Sequence, residues 1–307
     1  MSNRSYQSGL EGEEKACKYL ENQGYQVQAT RYRAQGGEIA DRDLVGMYLD
    51  EIARTRVFLQ VAFALSVLGA ISALDLDTLP SRPLAALDLD APIARPGKIV
   101  GAPVNYLDHK AEMGEQRTIA DYGVFLKASS SVIGPGADVR LPYRDVRTDQ
   151  EGELAVVIGR TASRVPVAEA LDHVFGYAPL LDITVRSGED RSTRKSFDTF
   201  TPFGPWVTTA DEVGDPGELE LRCWVGGELR QETSTRELVY DVAELVAYTS
   251  HVMTLFPGDV IATGTPAGVG PIKPGQRIVV EISRLGRLEV GVSDEGAIDY
   301  DSRPGPR

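Results

Sequence analysis

The chain predicts an α+β fold, predominantly β and built from curled sheets rather than alternating βαβ units. Three observations carry that prediction. From Lys98 onward, short apolar and β-branched runs are punctuated by Gly and Pro. Residues 219–232 read as a hairpin: Leu219, Leu221, Cys223 and Val225 alternate, Gly226-Gly227 supplies a two-residue turn, and Glu228 to Glu232 runs back. Residues 241–255 carry the best helical stripe, with Val242, Leu245, Val246, Thr249, Val252 and Met253 on one face and Pro257-Gly258 as the stop.

Taken in order, the first third is different material. Residues 12–24 predict a short helix with Ala16, Tyr19 and Leu20 on one face and Gly24 at its end. Residues 43–54 predict a second, with Leu44, Met47, Tyr48 and Ile52 at helical spacing. The apolar stretch 57–74 follows, broken only by Gln60, Ser66, Gly69 and Ser72. Its length sits at the threshold for a membrane span, but the polar residues weaken that reading, and a helix buried against the next domain explains it equally well. Two Leu-Asp-Leu-Asp matches among Pro80, Pro83, Pro92 and Pro96 read as a linker. The expected organisation is therefore a helical appendage over 1–75, a Pro-rich linker over 76–96, a main domain over 97–295 and a tail over 296–307. Within the main domain, further strands are expected at 260–263, 277–283 and 286–292.

Bulk properties narrow the function. The 307 residues suffice for one large domain with an appendage, or for two modest domains. A formal net charge of -13 argues against nucleic acid as the main partner, because neutralising phosphates needs clustered Lys and Arg. Cys17 and Cys223 offer no disulfide framework, and Met1-Ser-Asn-Arg-Ser-Tyr lacks the charged-then-apolar order of a secretory signal. A reducing, cytoplasmic setting is expected.

The chemistry concentrates in a few segments. In Glu151-Gly-Glu153 the two carboxylates are one residue apart at the head of an apolar run, so on a strand they point to the same face, about 7 Å apart. Asp182 closes a second apolar stretch, 176–181. Such carboxylates repel and are costly to desolvate. A hard divalent cation removes both penalties, and three acidic oxygens with no Cys or His nearby suit Mg²⁺ or Mn²⁺. Two exposed glutamates at a strand's start are the alternative. His109 and Glu112, three apart, would share a helix face, where the carboxylate could orient the imidazole as a base. A plain surface pair is the alternative there. Lys195, in a segment rich in turn formers and aromatics, could supply charge to a developing enolate, or be a surface lysine. Residues 258–270 form a strand entering a glycine-rich loop whose N–H groups and Thr265 hydroxyl could meet a carboxylate or phosphate. The loop lacks a P-loop ending, so a nucleotide site is not expected.

Together these segments resemble the fumarylacetoacetate hydrolase superfamily. The matching pieces include Arg95-Pro-Gly-Lys, Asn105-Tyr-x-Asp-His109, Phe125-Leu-Lys127, Glu151-Gly-Glu-Leu-Ala-Val-Val-Ile-Gly159, Lys195-Ser-Phe-Asp-Thr-Phe200 and Pro257-Gly-Asp-Val-Ile-Ala-Thr-Gly-Thr-Pro266, in the family's order over roughly residues 95–292. The resemblance implies a mixed β-sandwich roll, a homodimer, and Glu151, Glu153 and Asp182 as ligands of Mg²⁺ or Mn²⁺, with Ca²⁺ able to replace them in crystals. It implies His109 and Glu112 as a dyad on a lid, Lys195 as a catalytic lysine, and Tyr106, Lys127, Arg186, Gly264 and Thr265 as substrate-binding residues. The activity implied is metal-dependent cleavage of a C–C bond in a 1,3-diketo or 2-oxo acid, of the acylpyruvate kind, through an enolate. Isomerisation or decarboxylation on the same site, or a catalytically silent member, are the alternatives. The chain departs from the family at Val100-Gly-Ala-Pro-Val104, and its first 75 residues resemble in part a small endonuclease-like family and a sigma-factor helix. The nuclease carboxylates and lysine are missing at Ala40, Gln60 and Ala62.

Overall fold

Strand β8 (Gly152–Ile158) is buried along its whole length, and its alternation explains how the molecule is layered. Leu154, Val156 and Ile158 face the main core, while Ala155 and Val157 face a second, smaller cluster with Ile93, Ala178, Leu180, Phe203, Val260 and Ala262. A strand covered on both faces needs apolar residues at every position, which is what Leu-Ala-Val-Val-Ile provides. β8 lies inside a six-stranded mixed sheet ordered β12 (Thr208–Thr209), β9 (Val174–Leu181), β8, β15 (Val260–Ala262), β3 (Ile99–Gly101) and β4 (Phe125–Lys127). Only the β15–β3 pairing in it is parallel.

The computed structural model describes residues 87–304 apart from 113 and 115, together with residue 83 and two short strands, β1 (Arg33–Ala34) and β2 (Gly37–Glu38), paired antiparallel. The expected helices at 12–24 and 43–54 and the apolar stretch 57–74 lie outside the described residues, as does most of the linker. No helix among the described residues is long and apolar enough to cross a membrane.

A five-stranded sheet packs across the first, in the order β14 (Glu228–Ser234), β13 (Glu220–Val225), β17 (Arg277–Ile282), β18 (Gly286–Ser293) and β6 (Asp138–Arg140). Its inward residues, among them Leu221, Cys223, Val225, Ile278, Val280, Leu288 and Val290, fill the main core. The expected hairpin is β13–β14, and Gly226 and Gly227 both adopt positive φ, 59° and 86°, as its two-residue turn requires. Two small sheets complete the fold: β10 (Thr184–Val185), β7 (Thr148–Gln150) and β16 (Gly270–Pro271), then β11 (Thr201–Pro202) beside β5 (Val132–Ile133).

The helices are short: α1 (Leu107–Glu112), α2 (Ile119–Tyr122), α3 (Arg191–Arg194), α4 (Ala210–Val213) and α5 (Val242–Val252). α5 starts at Asp241, whose carboxylate accepts from the Glu244 N–H at 2.8 Å, while Glu244 accepts from the Asp241 N–H at 3.0 Å. It ends earlier than the stripe predicts. Met253 is extended, and Leu255 pairs with Ala162 through N–H···O bonds of 2.9 and 3.0 Å, so tertiary pairing pulls the chain out of the helix and leaves Val252 exposed.

Candidate metal and active site

Glu151, Glu153 and Asp182 meet because β8 and β9 are antiparallel neighbours. Gly152 lies opposite Leu181, so the residue before β8 and the residue after β9 face each other, and the Asp182 N–H donates to the Glu151 carbonyl at 2.8 Å. Glu153 falls on the same side two residues on. Gly152, between them, turns toward the second sheet, where a Cβ would sit 3.1 Å from Cys223 Cβ. All three carboxylates are buried, with one oxygen of each within 4.8 Å of the others.

Three cations surround the cluster. Lys195 Nζ donates to Glu151 Oε2 at 2.7 Å, Asp182 Oδ2 at 2.5 Å and Thr184 Oγ1 at 2.7 Å. Lys127 Nζ donates to Asp182 Oδ1 at 2.5 Å and to the Phe200 carbonyl at 2.8 Å. Arg186 donates through Nη2 to Glu151 Oε1 at 2.8 Å and through Nε to Asp149 Oδ2 at 2.6 Å. Burial alone would raise the Glu151 carboxyl, but Lys195 and Arg186 outweigh it and hold it at about 2. For Lys195, burial opposes the charge, yet Asp182 and Glu151 keep the ammonium above its ordinary value. Lys127 goes the other way, pulled below its ordinary value by burial in spite of Asp182.

Glu153 is the exception. It accepts one bond, from the Gly264 N–H at 2.8 Å, and pairs with no cation within 4 Å among the described residues. Burial, then repulsion from Asp182, pushes it well above the usual carboxylate range. A buried carboxylate left short of positive charge beside two others fits a divalent cation, so this group can hold a metal.

Two segments lie against the cluster. On α1, His109 Nδ1 lies 3.1 Å from Glu112 Oε2, the helix-face pairing expected from the spacing. His109 is buried. The glycine-rich loop after β15 supplies Gly264, with φ 97°, and Thr265. The Thr265 hydroxyl donates to the Gly152 carbonyl at 2.9 Å and accepts from Gln231 Nε2 at 2.7 Å. The loop also meets α1, since the Gly268 N–H donates to Glu112 Oε1 at 3.2 Å. Tyr106 is fully buried with its hydroxyl unpaired among the described residues, and Glu153 acts on it electrostatically.

Every residue expected in the site therefore lies in or against this one region. Sequence reasoning passed over Asp149, Thr184 and Gln231. Asp149 is fully buried, gripped by Arg147 Nε at 2.6 Å as well as by Arg186, and it fixes the guanidinium that reaches Glu151. A signal for it existed: the alternation Asp149-x-Glu151-x-Glu153 extends the carboxylate face back by one more step. Gln231 accepts from the Gly152 N–H across 79 residues of sequence, and nothing local marked it.

In this mostly β fold, two sheets share a core and bring a buried carboxylate cluster that could hold a metal ion beside a His-Glu pair. The model of the fumarylacetoacetate (FAA) hydrolase C-terminal domain matches residues 98–293, and the chain belongs to the fumarylacetoacetate hydrolase family. It is 45% identical over 220 residues to a maleylpyruvate hydrolase of Aquipseudomonas alcaligenes, covering 68% of this chain and 77% of that protein. The crystal structure of maleylpyruvate hydrolase from Sphingobium sp. SYK-6, in complex with manganese(II) and pyruvate, superposes with a TM-score of 0.68 at 41% identity, covering 80% of this chain and 85% of that one. A 5-carboxymethyl-2-hydroxymuconate delta-isomerase from Mycobacterium smegmatis superposes at 0.63 with 39% identity, covering 70% and 86%.

Proposed function

We propose that the protein is a metal-dependent hydrolase that cleaves a C–C bond in an acylpyruvate-like 1,3-diketo acid. The observation that carries this reading is the buried Glu151, Glu153 and Asp182 cluster with Glu153 uncompensated, beside the His109–Glu112 pair. The Sphingobium relative, crystallised with manganese and pyruvate, supports both the metal and the product. Glu151, Glu153 and Asp182 would hold Mg²⁺ or Mn²⁺. When bound, that ion supplies Lewis-acid charge that polarises the keto oxygen of a 2-oxo acid.

The chain's own groups do the rest. Glu112 accepts from His109 Nδ1–H, which fixes the tautomer and leaves Nε2 as the base. Nε2 takes a proton from water as the water oxygen attacks the carbonyl distal to the pyruvyl end. The C–C bond then breaks, its electron pair stays with the pyruvyl fragment as an enolate, and His109 returns the proton to carbon. Lys195 gives a fixed positive charge where that enolate develops. Tyr106, Lys127, Arg186, Gly264 and Thr265 complete the lining: Tyr106 offers its unpaired hydroxyl to substrate, and the other four hold the frame. The reading extends to a cytoplasmic homodimer. The likeness to a delta-isomerase favours a second reading, keto–enol isomerisation on the same residues.

The test is turnover by EDTA-stripped protein of a panel of acylpyruvates, fumarylpyruvate and oxaloacetate, with and without Mg²⁺ or Mn²⁺. Metal-restored pyruvate release from an acylpyruvate, absent in Glu151→Ala/Glu153→Ala, supports the reading. Failure to bind metal overturns it.

A further inference from the structure

Gly152 sits between Glu151 and Glu153, so its two peptide units set the spacing of two carboxylates of the cluster. The Gly152 N–H belongs to the planar peptide that begins at Glu151, and its C=O to the one that ends at Glu153. Because the Glu151 carbonyl takes its bond from Asp182 at the end of β9, Gly152 turns both of its own groups to the other side of the strand. There the ladder has run out. β15 ends at Ala262, and its last backbone bond to β8 runs from the Thr263 N–H to the Leu154 carbonyl at 3.0 Å. Two side chains take over.

Gln231, 1% exposed, reaches across from β14 in the other sheet. Its Oε1 accepts from the Gly152 N–H at 2.9 Å, and its Nε2 donates to Thr265 Oγ1 at 2.7 Å and to the Pro266 carbonyl at 2.9 Å. The Thr265 hydroxyl donates to the Gly152 carbonyl at 2.9 Å, which closes a ring of hydrogen bonds through Gly152, Gln231 and Thr265. Chemistry fixes the direction of that ring. The Gly152 N–H can only donate and so demands the amide oxygen; the Pro266 carbonyl can only accept and so demands the amide nitrogen. Thr265 therefore accepts from Gln231 and spends its hydrogen on Gly152, so toward a ligand its hydroxyl can only accept. Two local features serve the ring. β14 carries an extra residue, Arg230, at the step from Cys223 to Trp224 on β13, and this bulge immediately precedes Gln231. A Cβ at position 152 would lie 3.2 Å from Gln231 Oε1 as well as 3.1 Å from Cys223 Cβ, so glycine suits the place.

We propose that Gln231 is a positioning residue of the metal centre, holding Glu151 and Glu153 at the spacing a divalent cation needs. The role rests on the metal reading above and deepens it. Gln231 bonds to no carboxylate among the described residues; its amide acts through the peptides on either side of Gly152. It also fastens the carboxylate strand to the glycine-rich loop, whose Gly264 N–H is the partner of Glu153. Without the amide, the Gly152 N–H and the Pro266 carbonyl lose this buried partner, and the two peptides are free to rotate.

The experiment is isothermal titration of EDTA-stripped full-length protein with Mn²⁺ alone, so that substrate plays no part. Gln231→Met, close to glutamine in length but without the amide, is expected to bind Mn²⁺ about 10–100-fold more weakly than wild type, the usual worth of a partner one step outside the ligands. Thr265→Val is expected to do the same, while Thr265→Ser, which keeps the hydroxyl, holds wild-type affinity. Because both residues act through one ring, the Gln231→Met/Thr265→Val double variant is expected to lose no more than the larger single loss. Thermal melting without metal checks that each variant is folded, and the Ser and Val variants at 265 decide the matter if Gln231→Met does not fold. Wild-type affinity in folded Gln231→Met or Thr265→Val, equal losses in Thr265→Ser and Thr265→Val, or losses that add in the double variant would overturn the positioning role and leave the metal reading standing. Wild type that binds no Mn²⁺ would sink that reading, and the role with it.

Discussion

At the scale of single residues, the charge balance around Glu153 decides what the site does. Lys195, Lys127 and Arg186 satisfy Glu151 and Asp182, while Glu153 has only the Gly264 N–H. Glu153→Gln keeps the shape and that bond but removes the charge. Metal affinity, measured by isothermal titration calorimetry, is expected to fall at least about 100-fold, as loss of a ligand exceeds loss of an outer-shell partner. Melting temperature without metal is expected to hold or rise, because an uncompensated buried charge has gone. His109→Ala separates the other half of the site: kcat should drop about 10²–10⁴-fold, the usual worth of a positioned base, with metal affinity little changed. Much of this scale was legible in the sequence. Period-two spacing put Glu151 and Glu153 on one face, and the i, i+3 spacing paired His109 with Glu112. The partners that satisfy those groups were not legible. Thr184 and Gln231 reach the site through strand pairing and loop packing that no local pattern encodes, and Asp149 was visible only as a further step of the carboxylate alternation.

At the scale of elements, the glycine-rich loop joins the carboxylate strand to helix α1. Gly268 donates to Glu112, its carbonyl accepts from Gln150 Nε2 at 3.0 Å, and its φ is 94°. A Cβ there would lie 1.9 Å from the Arg230 carbonyl oxygen, so Gly268→Ala must displace the loop. Moving the Glu112 anchor displaces its partner His109, and under the proposed mechanism kcat/KM is expected to fall by about 10²-fold in steady-state assays, with metal binding retained. The hairpin β13–β14 and the start of α5 were legible because alternation, a Gly-Gly turn and an Asp-x-x-Glu cap are local signals. The end of α5 was not, since the Leu255–Ala162 pairing that ends it comes from ninety residues away. Strands β5, β7, β10, β11 and β16 are two or three residues long, too short to show a period.

At the scale of the whole molecule, titration and metal binding are coupled through this one buried centre. Glu151 is depressed to about 2, so its contribution to stability is present above its unfolded value and is lost as pH falls from the ordinary carboxylate range toward 2. Glu153 is raised, so its contribution has the opposite sign: present at low pH, lost as pH rises through its folded value. In metal-free protein the two partly cancel. Metal must displace the proton that Glu153 binds so readily, so Mn²⁺ affinity is expected to increase with pH, with proton release on binding. Calorimetry in two buffers of different ionisation heat measures that release directly; an affinity flat with pH would contradict the assignment of Glu153 as a ligand.

Proton NMR of fumarylpyruvate turnover with Mg²⁺ distinguishes hydrolysis of a C–C bond at this centre from isomerisation. Hydrolysis is expected to give pyruvate and fumarate one to one, with neither forming in Glu153→Gln. An isomerised substrate with its carbon chain intact, or cleavage that persists in the variant, would contradict it.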